Sequence, residues 1–339
     1  MLCWVIAPVL GAVLYAGVSP APSAPVQTPQ PLNALALLGE RFADAYFPLA
    51  KEPAGKNDKA PLSLTYIANM GVLIDSGGTK VLIDALFDKP NPEYRAPASE
   101  TLEKIIKGEA PYDGVKLALV THNHPDHFAP GVAIRFLESQ PKAILLAPAD
   151  AVAELRKAAS DWTRLEPRVI SLDLKVGEIK KTAAAGLPLT AVRTLHGRSE
   201  SPMNLMYLFD LNGRSIFHEG DSPGKPETFK GFGLETASID LAVLHYWFPF
   251  EPNIAKYLQE VFTPDHIALT HLPVKDEGSM LGNVDQARQF YKDIFLLLPG
   301  MAPVVIAPDG KRVYFKAPRV LPDGKWVVVS QHFSFAETN

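Results

Sequence analysis

The stretch Thr121-His122-Asn123-His124-Pro125-Asp126-His127 places three histidines and an aspartate within six consecutive positions. It directly follows an apolar run, Leu117-Ala118-Leu119-Val120, which reads as a buried strand. Imidazole and carboxylate groups at this density are typical of a metal site rather than of a structural cluster. The stretch therefore predicts a metal site at the end of a strand, and metal-assisted hydrolysis as its chemistry.

The spacing within this stretch indicates two metal ions. Side chains at alternate positions of an extended segment project to the same side, so His122 and His124 can share one ion. Asp126 and His127 follow the turn at Pro125 and can face a second ion. Two ions about 3.5–4 Å apart are a common hydrolytic design.

Three further candidate ligands each follow a strand-like run. His196 follows residues 189–195, Asp221 closes the run 215–221, and His271 follows residues 267–270. Each one alone suits a surface or core position better than a ligand position. Together, in this order behind the histidine stretch, they indicate a shared site.

The ligand series resembles that of the metallo-β-lactamase-fold hydrolases: His122-x-His124-x-Asp126-His127, followed by His196, Asp221 and His271. The similarity spans most of residues 62–315 and includes the segments 71–84 and 217–221. The second segment is also similar to the branch that contains ascorbate-6-phosphate lactonase and N-acyl-phosphatidylethanolamine phospholipase D.

This resemblance implies an α/β fold, a four-layer αβ/βα sandwich in which two mixed sheets are flanked by helices. The residues support it: the runs 62–67, 72–75 and 80–84, separated by glycine turns, predict an antiparallel meander. Helices are predicted at 130–139 and 150–159. Two similar turns, at 308–311 and 322–325, predict a C-terminal hairpin or edge strands.

The resemblance also implies which side chains hold each ion. His122, His124 and His196 would hold the first ion, Asp126, His127 and His271 the second, and Asp221 would bridge both. The implied nucleophile is a hydroxide between two divalent ions, which lower the pKa of bound water to about 7. Zinc is the expected metal, although nitrogen and oxygen ligands also admit Mn²⁺ or Fe²⁺.

The expected substrate is a small or lipid-like molecule with an ester, lactone or phosphodiester bond. True β-lactamases of this fold generally have Cys or Ser where this chain has Asp221, so β-lactam hydrolysis is not expected. Diiron flavoproteins usually have Glu in place of His124. Two alternatives stay open: a single-iron oxidoreductase similar to the persulfide dioxygenases, and a non-catalytic binding protein, against which the complete ligand set argues.

Each of several other residues has two possible roles. Asp84 can orient a metal-binding histidine or simply end a strand at a turn. His218 can support Asp221 or bond to the backbone within a strand. His245 can contact substrate and protonate a leaving group, or be a partly buried structural histidine. His266 is expected at the surface, and no motif supports a role for His332.

Composition narrows the choice of partners. The chain has 339 residues, of which 47% are hydrophobic and 21% charged, and a net charge of −4. This balance is that of a globular protein without the basic face that nucleic acids require, so no nucleic-acid partner is expected. The oligomeric state is left open.

The N-terminal region predicts export. Residues 1–23 have the order of an apolar signal sequence and a small-residue cleavage zone, which favours a periplasmic or secreted protein without a membrane span after cleavage. An uncleaved N-terminal membrane anchor is the alternative. Residues 24–60 are predicted as an extension and linker, and residues 61–339 as the hydrolase domain. Cys3, the one cysteine, would leave with the signal.

Overall fold

In the computed structural model the described residues are 59–313, 319–320 and 326–327. The predicted signal peptide, residues 24–58 of the predicted extension and His332 lie outside these ranges. Among the described residues, no helix is both long and apolar enough to cross a membrane.

The strands follow one another along the whole described region. The first six are β1 (Leu62–Ala68), β2 (Gly71–Ser76), β3 (Thr79–Ile83), β4 (Val115–Leu119), β5 (Ile144–Pro148) and β6 (Val169–Leu172). The next seven are β7 (Ile179–Ala184), β8 (Leu187–His196), β9 (Ser199–Leu211), β10 (Arg214–His218), β11 (Leu241–His245), β12 (His266–Thr270) and β13 (Ile294–Leu296). The last four are β14 (Val304–Ile306), β15 (Arg312–Val313), β16 (Arg319–Val320) and β17 (Trp326–Val327).

These strands form two large mixed sheets. The first has the order β15-β14-β1-β2-β3-β4-β5-β6, and the second the order β13-β12-β11-β10-β9-β8-β7. In the first sheet β1, β2 and β3 are antiparallel, which confirms the predicted meander, and β3 to β6 are parallel. In the second sheet β7 to β10 are antiparallel and β10 to β13 parallel. Both sheets thus change from antiparallel to parallel pairing.

Of the two predicted C-terminal turns, the first lies within the described residues. The turn at 308–311 joins β14 to β15 in an antiparallel hairpin that completes the edge of the first sheet beside β1, as predicted. The second predicted turn, at 322–325, lies outside the described residues, and β16 and β17 pair antiparallel in a separate two-stranded sheet.

The helices lie between the parallel strands and on the outer faces. They are α1 (Ser99–Lys107), α2 (Pro130–Ser139), α3 (Ala149–Ala158), α4 (Trp162–Leu165), α5 (Pro226–Phe229), α6 (Pro252–Glu260) and α7 (Glu277–Ala287). Short 3₁₀ turns occupy Glu166–Arg168, Phe248–Phe250, Val274–Asp276 and Arg288–Phe290. The helices predicted at 130–139 and 150–159 are confirmed as α2 and α3.

The layers follow from the two-residue period of a strand. In β2, Val72 and Ile74 enter the core between the sheets, whereas Leu73 enters the core beneath α1, α2 and α3. A third core packs the second sheet against α6 and α7. Three apolar cores separating helix, sheet, sheet and helix confirm the four-layer sandwich.

Parallel strands bring their carboxyl ends to one edge of each sheet, which is where ligands bind in α/β folds. Asp84 follows β3, and the histidine stretch follows β4. Asp221 follows β10, His245 ends β11, and His271 follows β12. The fold therefore delivers the candidate ligands to one end of the sandwich.

One prediction about a histidine is wrong. His266 is buried, at 5% exposure, rather than at the surface. Its Nδ1 lies 2.8 Å from Asp293 Oδ2, and its Nε2 lies 2.8 Å from the Gly310 carbonyl oxygen. The β14–β15 turn, which contains Gly310, covers this strand end, a long-range contact that local sequence does not encode.

Opposite the candidate ligands, a buried arginine joins three segments. Arg214, at 2% exposure, begins β10 and donates to Asp240 Oδ1 at 2.9 Å and to the carbonyl oxygens of Ala60 and Ala307. Lys59 also pairs with Asp240, at 2.8 Å. Without Arg214, the buried Asp240 carboxylate would keep only the partly exposed Lys59, and the carbonyl oxygens of Ala60 and Ala307 would lose a donor.

We therefore expect Arg214→Met to lower the free energy of unfolding by about 3–5 kcal/mol, the usual cost of breaking a buried pair. The matched control is Lys292→Met, which removes an exposed ion pair with Asp265 and should cost less than about 1 kcal/mol. Chemical denaturation of both variants checks this. Equal losses would show that Arg214 does not hold this end of the fold together.

Candidate metal centre

All seven predicted ligands converge at the carboxyl ends of the parallel strands. Two groups have ligand atoms within 4.8 Å of one another: His122, His124, His196 and Asp221 form one, and Asp126, His127 and His271 form the other. A third group of the same kind consists of Asp221, His245 and His271. The clusters can bind metal ions, and the side chains predicted to share an ion lie in the same group, while their assignment to two ions stays a prediction.

A turn within the histidine stretch separates the two groups. β4 ends at Leu119, before the histidine stretch, and within the stretch the backbone N–H groups of His127 and Phe128 donate to the His124 carbonyl oxygen at 3.0 and 2.9 Å. This turn begins at Pro125 and carries Asp126 and His127 away from His122 and His124. One contiguous segment thereby supplies ligands to both groups.

Asp221 lies between the groups. Its Oδ2 is 3.2 Å from His196 Nε2 and 3.6 Å from His122 Nε2, both in the first group. The second group is as close, because His127 Nε2 lies 3.3 Å from Oδ1 and His271 Nε2 lies 3.3 Å from Oδ2. The carboxylate can therefore reach ions held in either group.

The residue before Asp221 has to be glycine. Gly220 has φ +60°, and a Cβ atom there would lie 2.6 Å from Asn204 Oδ1 and 3.0 Å from Thr121 Cβ. The same Asn204 oxygen accepts the Asp221 N–H at 3.0 Å. The tight approach of this loop to Asn204 thus fixes the position of the Asp221 backbone.

Buried atoms without partners test whether the site fits a cation. His122 Nε2, His271 Nε2 and Asp221 Oδ1 are buried and have no hydrogen-bond partner among the described residues. A buried polar atom left without a partner costs free energy. Three such atoms converging on one place fit a metal ion, which accepts lone pairs from all of them.

Asp84 holds two of the histidines. Its Oδ2 accepts from His127 Nδ1–H at 2.8 Å and from the Thr121 hydroxyl at 2.6 Å, while Oδ1 accepts the Thr121 N–H. Since that hydroxyl donates to Asp84, it accepts from His122 Nδ1–H at 3.0 Å. His127 therefore carries its Nδ1 hydrogen toward Asp84 and His122 carries its own toward Thr121, so both rings direct Nε2 to the centre.

Asn69 and Tyr94 also contact the ligands, although the sequence reasoning missed both. Asn69 Nδ2 donates to Asp126 Oδ2 at 2.9 Å, and its carbonyl oxygen accepts the His271 N–H at 3.2 Å. Its φ of +49° is tolerated by asparagine, and this turn position was the one available signal. Tyr94 packs edge-on against the His271 ring at 4.4 Å between ring centres.

His218 and His245 occupy different settings. His218 is fully buried, accepts the Gly220 N–H on Nδ1 at 3.2 Å and faces the Met70 carbonyl oxygen with Nε2. These are the backbone contacts of the structural alternative. His245 faces the centre, and its Nδ1 contacts the buried carboxylate of Glu219, a residue for which the sequence suggested no role.

Charge and burial act in opposite directions on the pKa values of the ligands. Burial lowers the pKa of His122 well below its ordinary value. Burial also disfavours charge on His271, but the carboxylates of Asp221 and Asp126 outweigh it and raise the pKa to about 10. Asp221 and Asp84 likewise raise the pKa of His127 against burial. Conversely, His271, His127 and His122 hold the pKa of Asp221 well below its ordinary value despite burial.

The first testable consequence concerns Asp84. Asp84→Asn places an amide donor where two donors now point, so His122 and His127 lose their fixed orientation. We expect metal affinity to fall about 10–100-fold, as when other residues that orient metal ligands are changed. Competition titration against a chelating dye measures this.

The control for Asp84→Asn is Asp75→Asn, which changes a turn aspartate that accepts the Gly78 N–H away from the centre. Its metal affinity should equal that of the wild type. An Asp84→Asn protein with wild-type metal affinity would contradict the orienting role.

The second consequence concerns pH. His271, with a pKa of about 10, carries a proton at neutral pH in the metal-free protein, and the pKa of His127 is also raised by Asp221 and Asp84. A metal ion binds only the neutral imidazole, so binding must release protons. We expect metal affinity to rise with pH up to about 10, the His271 value. Calorimetry in buffers of different ionisation enthalpy measures the protons released, and binding without proton release would contradict these protonation states.

The chain was compared with known proteins. The sequence profile of the family described as "Beta-lactamase superfamily domain" matches residues 79–289. No curated protein matches the chain at a significant level. The metallo hydrolase Igni18 from Ignicoccus hospitalis KIN4/I is 16% identical over 72% of this chain and 98% of that chain, with a TM-score of 0.48.

Two other solved structures are similar to the same degree. YhfI from Bacillus subtilis, a metallo-beta-lactamase fold protein, is 15% identical over 73% of this chain and 99% of that chain, with a TM-score of 0.49. CmlA from Streptomyces venezuelae, a diiron beta-hydroxylase, is 14% identical over 80% of this chain and 59% of that chain, with a TM-score of 0.47. The profile match, which spans more than half of the chain, shows that the protein belongs to the beta-lactamase superfamily of metallo-β-lactamase-fold, metal-dependent hydrolases.

Proposed function

We propose that the protein is a dinuclear metal-dependent hydrolase that acts on an ester, lactone or phosphodiester bond. The observation that carries the proposal is the position of Asp221, within 3.3 Å of histidine nitrogens in both ligand groups. A carboxylate with one oxygen available to each of two ions is suited to bridge them.

The proposed assignment uses every ligand found in the two groups. His122, His124 and His196 would hold one ion, Asp126, His127 and His271 the other, with Asp221 between them. When bound, such ions lower the pKa of water to about 7 and polarise a carbonyl or phosphoryl oxygen. Zinc is the metal we propose, with Mn²⁺ or Fe²⁺ compatible with the same donor atoms.

The residues around the centre hold the ligands in position and exclude water from all but one side. His122 and His127 are fully buried, whereas Asp221, His124 and His196 are only partly covered, so substrate has access from that side. Burial on the other sides strengthens every electrostatic interaction at the centre, because water is absent there. Asp126 is held by Asn69 and Asp221 by Asn204, so both carboxylates are in place before substrate arrives.

Tyr94 is placed to bind the substrate. It is half-buried beside His271, and burial, together with Glu93, Asp126 and Asp221, raises the pKa of its hydroxyl. The hydroxyl therefore keeps its proton, which it shares with the Glu93 carboxylate. A substrate oxygen that took the place of Glu93 would accept this hydrogen bond, which would suit the oxygen-rich ester and phosphodiester classes. The lactonase and phospholipase D branch suggested by the sequence stays a prediction within these classes.

The test is a substrate screen of the purified protein with ester, lactone and phosphodiester chromogens, with and without a chelator. Asp221→Asn should lower kcat/KM by more than the roughly 10–100-fold loss caused by removing a residue that only orients a ligand. The matched control is Asp210→Asn, an exposed turn aspartate that accepts the Gly213 N–H. It should leave kcat/KM unchanged.

Two results would contradict the proposal. Normal turnover with normal metal content in Asp221→Asn would show that Asp221 does not bridge. A single tightly held iron, with oxygen consumption on a thiol substrate and no hydrolysis, would instead support the oxidoreductase alternative.

A further inference from the structure

His245 faces the metal centre although it is not one of the seven predicted ligands. Its Nε2 lies 3.6 Å from Asp221 Oδ1, and its ring centre lies 4.5 Å from that of His271. With Asp221 and His271 it forms a group whose ligand atoms lie within 4.8 Å of one another. The ligand atoms of His245 and His271 therefore meet the same distance limit as the ligand atoms within the second group.

A buried glutamate fixes the orientation of this ring. Glu219 is fully buried, and its Oε1 accepts from the His245 N–H at 3.0 Å and from His245 Nδ1. Its Oε2 accepts the Ser222 N–H at 3.0 Å. Because Nδ1 carries the hydrogen toward Glu219, the lone pair of the neutral ring is on Nε2 and points toward Asp221.

Without a cation, this arrangement brings two hydrogen-bond acceptors close together. A lone pair on His245 Nε2 and a carboxylate oxygen of Asp221, 3.6 Å apart, are both acceptors and repel each other unless a cation lies near both. The buried surroundings leave little water to screen them, since His245 is 7% exposed. A histidine that gives one N–H to a carboxylate and directs its other nitrogen inward has the arrangement of a metal ligand.

The ring also cannot easily turn away. It stacks on Phe248 with 5.5 Å between ring centres and an interplanar angle of 17°. Its backbone belongs to β11, where His245 is paired with Thr270 of β12, the residue before His271. The register of two parallel strands thus sets the distance between His245 and His271.

We propose that His245, through Nε2, is an additional ligand of the ion held by Asp126, His127 and His271, and that Glu219 positions it. This rests on the proposed function. With bridging Asp221, that ion would have five protein ligands. A catalytic zinc ion reaches this number when it expands beyond four ligands, and Mn²⁺ or Fe²⁺, which are compatible with the same donor atoms, accept up to six. Coordination through Nε2 also excludes this nitrogen as the proton donor to a leaving group.

The test compares metal binding in His245→Asn with that in the wild type. The asparagine amide can still donate to Glu219 in the place of Nδ1–H, but it lacks the Nε2 ligand atom. We expect the second ion to bind at least about 10–100-fold more weakly, while the first ion keeps its affinity. Stepwise titration with Co²⁺ gives both Kd values.

Cobalt also provides a readout that is independent of activity. Loss of one ligand lowers the coordination number, so the visible absorption of the second Co²⁺ should intensify in His245→Asn, and one exchangeable imidazole N–H signal shifted by Co²⁺ should disappear from the NMR spectrum. Glu219→Gln is the second variant. It should weaken the second ion in the same direction without removing a ligand.

The matched control is His266→Asn. His266 is also a buried strand histidine whose Nδ1 contacts a carboxylate, that of Asp293, but it lies at the other end of β12. It should keep both Kd values and the cobalt spectrum, and its thermal stability shows what loss of a buried imidazole costs the fold.

The outcomes separate this inference from the proposed function. If the wild type binds two ions and His245→Asn keeps the second Kd and the spectrum, the inference is overturned and the dinuclear site stands. If the wild type binds fewer than two ions, the proposed function fails and this inference fails with it.

Discussion

The site depends on the contact between one carboxylate, that of Asp221, and the imidazole rings around it. Five histidines place a ring nitrogen within 3.6 Å of this carboxylate: His122, His127, His196, His245 and His271. In the absence of a cation, the negative charge of Asp221 raises the pKa values of both His271 and His127. Metal ions would compensate that charge, and the lone pairs left without partners at the centre would then be satisfied.

Two mixed sheets bring these groups together. The first sheet contributes the histidine stretch after β4 and the orienting carboxylate of Asp84 after β3, on adjacent parallel strands. The second contributes Asp221, His245 and His271 from three successive parallel strands. Because ligands come from both sheets, the packing of the core between them determines the distances at the centre. The ion pair of Arg214 with Asp240 holds the opposite end of the same sandwich.

The sequence predicted the parts of the site that local pattern encodes. His122 and His124 lie in one group and Asp126 and His127 in the other, on either side of the turn at Pro125, as the sequence predicted, although β4 ends at Leu119 and the pair lies beyond the strand. The meander and the helices after the motif were also correct, because their apolar periods are regular. The two readings of Asp84 could not be resolved, since its contact with His127 spans 43 residues.

The pattern within a short segment of sequence could not predict contacts that depend on strand register or on distant loops. Glu219 meets His245 across the β10–β11 pair, 26 residues later, so neither residue alone signals the other. Asn69 reaches Asp126 from a turn 57 residues earlier. His266 is buried because the β14–β15 turn folds over it, 44 residues downstream. Such contacts become visible only once the topology is known.

Anomalous X-ray diffraction from crystals of the protein purified without added metal would locate the ions. A dinuclear centre bridged by Asp221 should give two metal peaks about 3.5–4 Å apart, with the Asp221 carboxylate between them and His245 Nε2 on the peak nearer His271. A single peak, or two peaks that do not share Asp221, would contradict it.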